Sequence, residues 1–306
     1  MTRAVVLAYH NVGVRCLSTL LAHGIEVPLV LTHRDNPTEN IWFASVAELA
    51  SRYAIPSISP DNPNTPEVMA QIAAAQPDFI FSFYYRHRLD PALLALAGRG
   101  AYNVHGSLLP KYRGRVPVNW AVLHGERESG ATLHEMLEKP DAGRIVAQTR
   151  VPILPDDTAF DVFSKVTVAA EIALDGALPG LIAGTAPHIA QDLARGSYFG
   201  GRKPEDGRID CSQSADAVHN LIRAVAPPYP GAFFILAGES LTVSRSLHQP
   251  DRKPQGSGTG IYVVDGCYYV DCGDNRVLRL LTLEHQGRLL AASDFVARFG
   301  GGKIAV

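Results

Sequence analysis

Residues 78–105 read DFIFSFYYRHRLDPALLALAGRGAYNVH, and the order of patterns within them decides the fold. Asp78–Phe83 is a short apolar run of the kind that a strand buried on both faces requires. Asp90-Pro91 places a capping residue before a proline at the first helical position, which predicts a helix through about Leu96. Gly100–His105 is the next strand. Strand, helix and strand in succession form the repeating unit of a parallel sheet.

The same alternation extends outward in both directions. Ala4–Tyr9 is an apolar strand, Val14–His23 a helix, Glu26–Thr32 a strand and Ser45–Tyr53 a helix. Thr65-Pro66 starts another helix, with Val68, Met69 and Ile72 as its apolar positions. A long helix is expected from Thr158 to about Leu178, ended by Pro179-Gly180. Together these predict an α/β domain with a Rossmann-like, mostly parallel sheet and helices on both faces. The pattern changes after about Gly200. Ser214 caps a helix with the stripe Val218, Leu221, Ile222 and Val225. Five short strand candidates follow: 232–236, 240–247, 260–264, 268–272 and 277–283. They predict a small β-rich, OB-like barrel or sandwich. The boundary is expected near residue 205, giving domains 1–205 and 206–306.

Bulk properties narrow the function. With 28 basic and 30 acidic residues the formal net charge is -2, which gives no general attraction for nucleic acid or an anionic membrane. The four cysteines, Cys16, Cys211, Cys267 and Cys272, lack the paired spacing of a zinc site, and we read them as reduced thiols. No metal is expected. No segment reads as a signal peptide or as the roughly 20 apolar residues of a membrane span, so a cytoplasmic location is expected. After Tyr9 the chain carries one glycine, Gly13, where a dinucleotide fingerprint has three.

Asn103 and His105 are two apart near the end of a strand, so they project from one face at the edge where open parallel sheets build their sites. An amide beside an imidazole suits acyl transfer: the imidazole moves a proton and the amide holds an oxyanion. An edge histidine and a turn-forming asparagine account for the same residues without chemistry. Asp141, in a Pro/Gly-bounded loop, would favour the imidazolium of His105 if brought beside it. It also fits an ordinary Asp-x-Gly turn, and spacing does not decide between the two.

Asn103-Val104-His105-Gly106-Ser107-Leu108-Leu109-Pro110, then Tyr112-Arg113-Gly114 and Asp141-Ala142-Gly143, resemble the signature of folate-dependent formyltransferases. The likeness is tighter to one branch, the UDP-4-amino-4-deoxy-L-arabinose formyltransferase domain of a bifunctional polymyxin-resistance protein, which modifies lipid A. That likeness rests on 32–37, 81–87, 105–107, 117–120 and 223–232. The resemblance implies formyl transfer from 10-formyltetrahydrofolate to a primary amine, with Asn103, His105 and Asp141 catalytic. It also implies a donor pocket at His87, Arg88, Leu89, Arg115, Leu137, Glu138, Lys139, Pro140 and Asp141.

Two alternatives stand beside this reading. Methionyl-tRNA formyltransferase must hold a polyanion, yet the segment 32–40 is short and mixed in charge. A non-catalytic folate- or nucleotide-binding relative would have no use for all three catalytic residues. Expected partners are therefore folate and a nucleotide sugar, with no nucleic acid and no membrane insertion; a homo-oligomer is left open. His124 and His134 are read as structural. His10 either lines the acceptor pocket or caps a helix, and Trp120 and Tyr229 either stack on a substrate ring or pack.

Overall fold

The apolar runs assemble into a seven-stranded sheet. In a computed structural model, which describes residues 1–306, they form one of two compact units: 1–117, 128–151 and 163–200. Along the chain come β1 (Arg3–Ala8), α1 (His10–Ala22), β2 (Glu26–Leu31), α2 (Val46–Arg52) and β3 (Ser57–Ile58). Next are α3 (Pro66–Ala74), β4 (Phe79–Phe83), α4 (Pro91–Leu94), β5 (Gly100–His105) and β6 (Arg113–Gly114). Then follow α5 (Pro117–Leu123), β7 (Glu128–Glu135), β8 (Ile145–Pro152), α6 (Ala159–Ala183) and β9 (Tyr198–Phe199). The sheet order is β3-β2-β1-β4-β5-β7-β8. The pairs from β3 to β5 are parallel, and β7 runs antiparallel to β5. Strand order reverses between β1 and β4, so their carboxyl ends open onto a crevice suited to a ligand.

Period-two alternation sends neighbouring residues to opposite faces. On one face Val5, Leu7, Ile80 and Ala101 pack with Val68 and Ile72 of α3 and Leu93 of α4. On the other, Phe79, Phe81, Phe83 and Tyr102 pack ring against ring, with Phe81 and Phe83 stacked. The Arg99 guanidinium lies 4.7 Å over Phe79 and donates to the Leu181 and Ile182 carbonyls at the end of α6. A cation at a helix C-terminus satisfies orphan carbonyls and complements the dipole. Ser45 and Thr65 cap α2 and α3 through the Glu48 and Val68 amides, each cap being worth about 1 kcal/mol.

Helix α6 departs from expectation twice. It runs through Pro179 to Ala183 instead of stopping at Pro179-Gly180. Its end is a Schellman turn: Gly184 adopts φ 74°, its N–H donates to the Leu181 carbonyl, and Thr185 N–H donates to Gly180. It is also long and apolar enough to cross a membrane, which the sequence reading did not find. Half of that apolar window is buried in the protein, and Val162, Val166, Ala170, Leu174 and Leu178 line its inner face.

The second unit comprises 118–127, 152–162 and 201–306. It holds α7 (Ala215–Ala224), β10 (Ala232–Leu236), β11 (Glu239–Val243), β12 (Ser246–His248), β13 (Gly260–Val264) and β14 (Cys267–Asp271). β15 (Val277–Leu280), β16 (Glu284–His285), β17 (Arg288–Leu289) and α8 (Ala292–Phe299) complete it. The strands form two four-stranded sheets, β10-β11-β16-β17 and β12-β15-β14-β13, in which every paired register is antiparallel. The stretch read as one strand over 240–247 is divided between them. Ser214 caps α7 by accepting from Ala217 N–H, and Val218 and Ile222 enter a core with Phe234, Leu241, Ile261, Val270 and Phe295. Cys211 and Cys272 are free thiols in that core.

Gly184 has open space where a Cβ would sit, so Gly184→Ala tests conformation alone. It should cost about 1–2 kcal/mol through the left-handed backbone. Pro179→Ala should instead stabilise, since it restores a helical N–H, by up to about 3 kcal/mol. Urea denaturation midpoints of the two variants read both effects; a Gly184→Ala midpoint no lower than wild type, or a Pro179→Ala midpoint below it, would reject this account of where α6 ends.

Candidate active site

Asn103 and His105 occupy the last turn of the pleat in β5, and β7 sets residues opposite them. Asn103 pairs with His134 and His105 with Thr132. Thr132 is fully buried and braces the loop after β5. Its Oγ1 donates to the Ser107 carbonyl at 2.6 Å and accepts from Leu109 N–H at 3.1 Å. Gln148 of β8 donates to the Leu109 carbonyl at 2.8 Å, and the Ser107 hydroxyl donates to the Lys111 carbonyl at 2.7 Å. The braced loop delivers the Tyr112 carbonyl to His105, 2.7 Å from Nε2. A carbonyl only accepts, so Nε2 carries a hydrogen and Nδ1 is the ring nitrogen that faces Asp141.

His134, read above as structural, lies beside Asn103 at the site. Its Nδ1 donates to the Glu135 carbonyl at 2.7 Å, and its Nε2 accepts from Asn103 Nδ2 at 3.1 Å. That bond orients the Asn103 amide and leaves one of its N–H groups for a substrate oxygen. Burial pushes the His134 imidazole down to about 4, against an opposing pull from Asp141. The neutral tautomer and the observed hydrogen bonds agree. Its signal in the sequence was indirect, because it reaches Asn103 only through antiparallel pairing of a strand that had not been recognised.

Asp141 is carried by the β7–β8 connection. Its Oδ2 accepts from Gly114 N–H at 2.8 Å, and its Oδ1 lies 3.6 Å from both His105 Nδ1 and His134 Nε2. The latter separations are beyond hydrogen bonding and within electrostatic reach. Ring orientation at His105 is therefore set by the Tyr112 carbonyl. Burial alone would raise the Asp141 carboxyl, but His105, His134, the Gly114 amide and Arg113 together hold it below the ordinary range. The site thus combines an ionised carboxylate, a neutral His134, an oriented amide and a His105 nitrogen open to a proton.

The turn that places Asp141 is tightly specified. Asp141 itself has φ 52°. A Cβ at Gly143 would collide with the Glu135 carbonyl, so only glycine lets the turn lie against β7. Arg144 closes it with a two-point contact to the Glu135 carboxylate at 2.7 Å, and Gln191 donates to the Asp141 and Gly143 carbonyls at 3.0 and 2.6 Å.

The residues read as a donor pocket divide in character. Arg88 Nη2 donates to the Glu138 carbonyl at 3.1 Å, which joins segments 87–89 and 137–141. Leu137, Glu138, Lys139 and Pro140 are exposed, and so is Arg115, whose backbone N–H donates to Phe199 O. The His87 ring packs against His33 and Tyr85. Leu89 departs from the others: its side chain is buried in the core with Ile72, Leu93 and Ala101, so at most its backbone faces a ligand.

His10 does not cap α1; it is the first helical residue, and Tyr9 is the cap position. Its ring stacks on Phe43 with centroids 3.9 Å apart and meets Trp42 and Phe163 edge-on. Burial, with Arg86 nearby, pushes its imidazole down to about 3. In the second unit Trp120 lies under the Arg202 guanidinium, and burial raises Tyr229 to about 12.

Several known structures share this fold. The sugar 3-N-formyltransferase WlaRD, seen with dTDP and 5-N-formyltetrahydrofolate, superimposes with a TM-score of 0.75 at 19% identity, covering 94% of this chain and 99% of its own. An N-formyltransferase from Helicobacter canadensis, in complex with folinic acid and dTDP-3-aminofucose, gives 0.72 at 19% identity, with 92% and 99% covered. HypX from Aquifex aeolicus, with tetrahydrofolic acid, gives 0.64 at 18% identity and covers 99% of this chain but 49% of its own. The formyl transferase family model matches residues 15–178, and the formyl transferase C-terminal domain model matches 202–300. The chain, with its parallel-sheet domain and antiparallel β domain, belongs to the formyl transferase family.

Proposed function

We propose that the protein moves a formyl group from 10-formyltetrahydrofolate to the primary amine of a nucleotide-linked amino sugar, with UDP-4-amino-4-deoxy-L-arabinose as acceptor. The observation that carries this reading is the Asp141 carboxylate set 3.6 Å from two imidazoles, one of which orients the Asn103 amide. Bound formylated folates and a dTDP-amino sugar in fold relatives support the two substrate classes. The arabinose acceptor rests on the resemblance of the sequence segments 32–37, 81–87, 105–107, 117–120 and 223–232. The reaction would take place in the cytoplasm, where both substrates are water-soluble.

In this scheme the neutral amine attacks the formyl carbon, forming a C–N bond and a tetrahedral oxyanion. The free Asn103 N–H stabilises that oxyanion. His105 Nδ1 takes the proton that the attacking nitrogen sheds and returns it to N10 as the C–N10 bond breaks, so the proton count balances. Asp141 stabilises the transient imidazolium. His134 keeps the Asn103 amide aligned. Exposed residues 137–140, Arg88 and Arg115 are assigned to the donor.

Asp141→Asn should lower kcat by about 100-fold or more with thermal stability nearly retained; wild-type turnover in a coupled tetrahydrofolate-release assay would remove Asp141 from the mechanism. His105→Ala should cost more than Asn103→Ala in kcat, and the reverse order would reassign the proton carrier. Faster formylation of Met-tRNA than of the sugar nucleotide would overturn the acceptor.

His134 also links the site to folding. Its imidazole lies at about 4 in the folded chain against an ordinary 6.5. The unfolded chain therefore binds more protons between those values, so stability is full above about 6.5 and is lost as pH falls toward 4. Asp141, also depressed, adds a loss in the same direction at lower pH. The urea midpoint should fall between pH 7.5 and pH 5, and His134→Gln should reduce that fall; an equal fall in the variant would dissociate His134 from it.

A further inference from the structure

Gln191 lies outside every motif that pointed to the site. It nevertheless makes the most direct backbone contact with the turn bearing the carboxylate. Its single Nε2 group spans the turn, donating to the Asp141 carbonyl at 3.0 Å and to the Gly143 carbonyl at 2.6 Å. Its Oε1 is buried and has no hydrogen-bond partner. A buried amide that leaves its oxygen unsatisfied costs free energy, so the orientation is dictated by the two bonds its nitrogen makes. Gln191 is itself anchored next to Ile189, whose N–H and C=O exchange hydrogen bonds with Ile145 at 2.8 Å. The clamp thus ties the turn to the start of β8.

The turn needs such a clamp. Asp141 sits in the left-handed region at φ 52°, a conformation that a non-glycine residue keeps only when its surroundings impose it. Immediately before it, 137–140 are exposed, and the Arg88 side chain, donating to the Glu138 carbonyl, ties them to the rest of the unit. A segment that meets the donor and a carboxylate that must hold its distance from His105 and His134 are consecutive in the chain.

We infer that Gln191 is a positioning residue for formyl transfer: it fixes the backbone on both sides of Asp141, so that residues 137–140 adjust to the donor without displacing the carboxylate. The inference rests on the catalytic reading of Asp141 above. A carboxylate moved by about 1 Å loses much of its effect on the transition state, whereas donor contacts made by 137–140 are left in place.

The test is a series at position 191 in the full chain, with kcat measured for formyl transfer and Kd measured for 5-formyltetrahydrofolate. Gln191→Leu keeps the volume and removes both donors; it should lower kcat 10- to 100-fold while Kd stays within about 3-fold of wild type. Gln191→Asn keeps a donor but reaches one carbonyl, so it should fall between. Circular dichroism melts and the Kd itself report whether each variant is folded. If folded Gln191→Leu turns over like wild type, or if kcat and donor affinity fall together, the positioning role is overturned. Asp141→Asn run alongside separates the two levels. An inactive Asp141→Asn with a wild-type Gln191→Leu rejects the Gln191 role alone, whereas an active Asp141→Asn rejects the catalytic reading beneath it.

Discussion

A carboxylate that is almost wholly buried must stay ionised, and the surrounding architecture is arranged around that constraint. The Asp141 side chain is only 13% exposed. Unpaired, a carboxylate so placed would take up a proton instead of staying charged. Three strands supply what holds it: the Gly114 amide and Arg113 on β6, His105 on β5 and His134 on β7. None is adjacent to Asp141 in sequence, so the charge is stable only when the sheet edge, the loop after β5 and the β7–β8 turn are all in place. Site assembly and folding of this edge are therefore one event.

The same constraint explains why the sheet changes direction here. A further parallel strand beside β5 would need a crossover and would bring its residues from the far side of the sheet. An antiparallel β7 returns along β5 directly, setting His134 against Asn103 and Thr132 against His105. Its exit then turns within a few residues into the loop that carries Asp141. The parallel strands supply a rigid platform, and the antiparallel edge brings the remaining groups back to the carboxyl end of β5.

How much of this was legible in the chain follows from the range of each signal. Strand and helix starts are local, so Thr65-Pro66, Ser45 and Gly100–His105 declared themselves, as did the shared face of Asn103 and His105. Pro179 misled because proline is a local breaker that a long, otherwise well-packed helix can absorb; the true stop is Gly184, whose left-handed backbone closes the Schellman turn. Leu89 was placed at the ligand by its neighbours in a motif, but its apolar side chain follows burial into the core. His134 reads in the sequence only as a structural histidine, and Gln191 carries no signal there. Both act through contacts across strands or between distant loops, and no spacing rule encodes those.

Tautomer assignment completes the physical picture. His105 and His134 face the same Asp141 oxygen, yet their hydrogen bonds distinguish them. The Tyr112 carbonyl holds the hydrogen on His105 Nε2, leaving Nδ1 toward Asp141; the Glu135 carbonyl holds the hydrogen on His134 Nδ1, committing Nε2 to Asn103. One imidazole keeps a nitrogen outside any hydrogen bond to the protein, and the other is engaged as a fixed acceptor. Two like rings with different backbone partners thereby take different parts, and the difference comes from where two carbonyl groups lie, not from residue type. Residue identity alone would have ranked them equally.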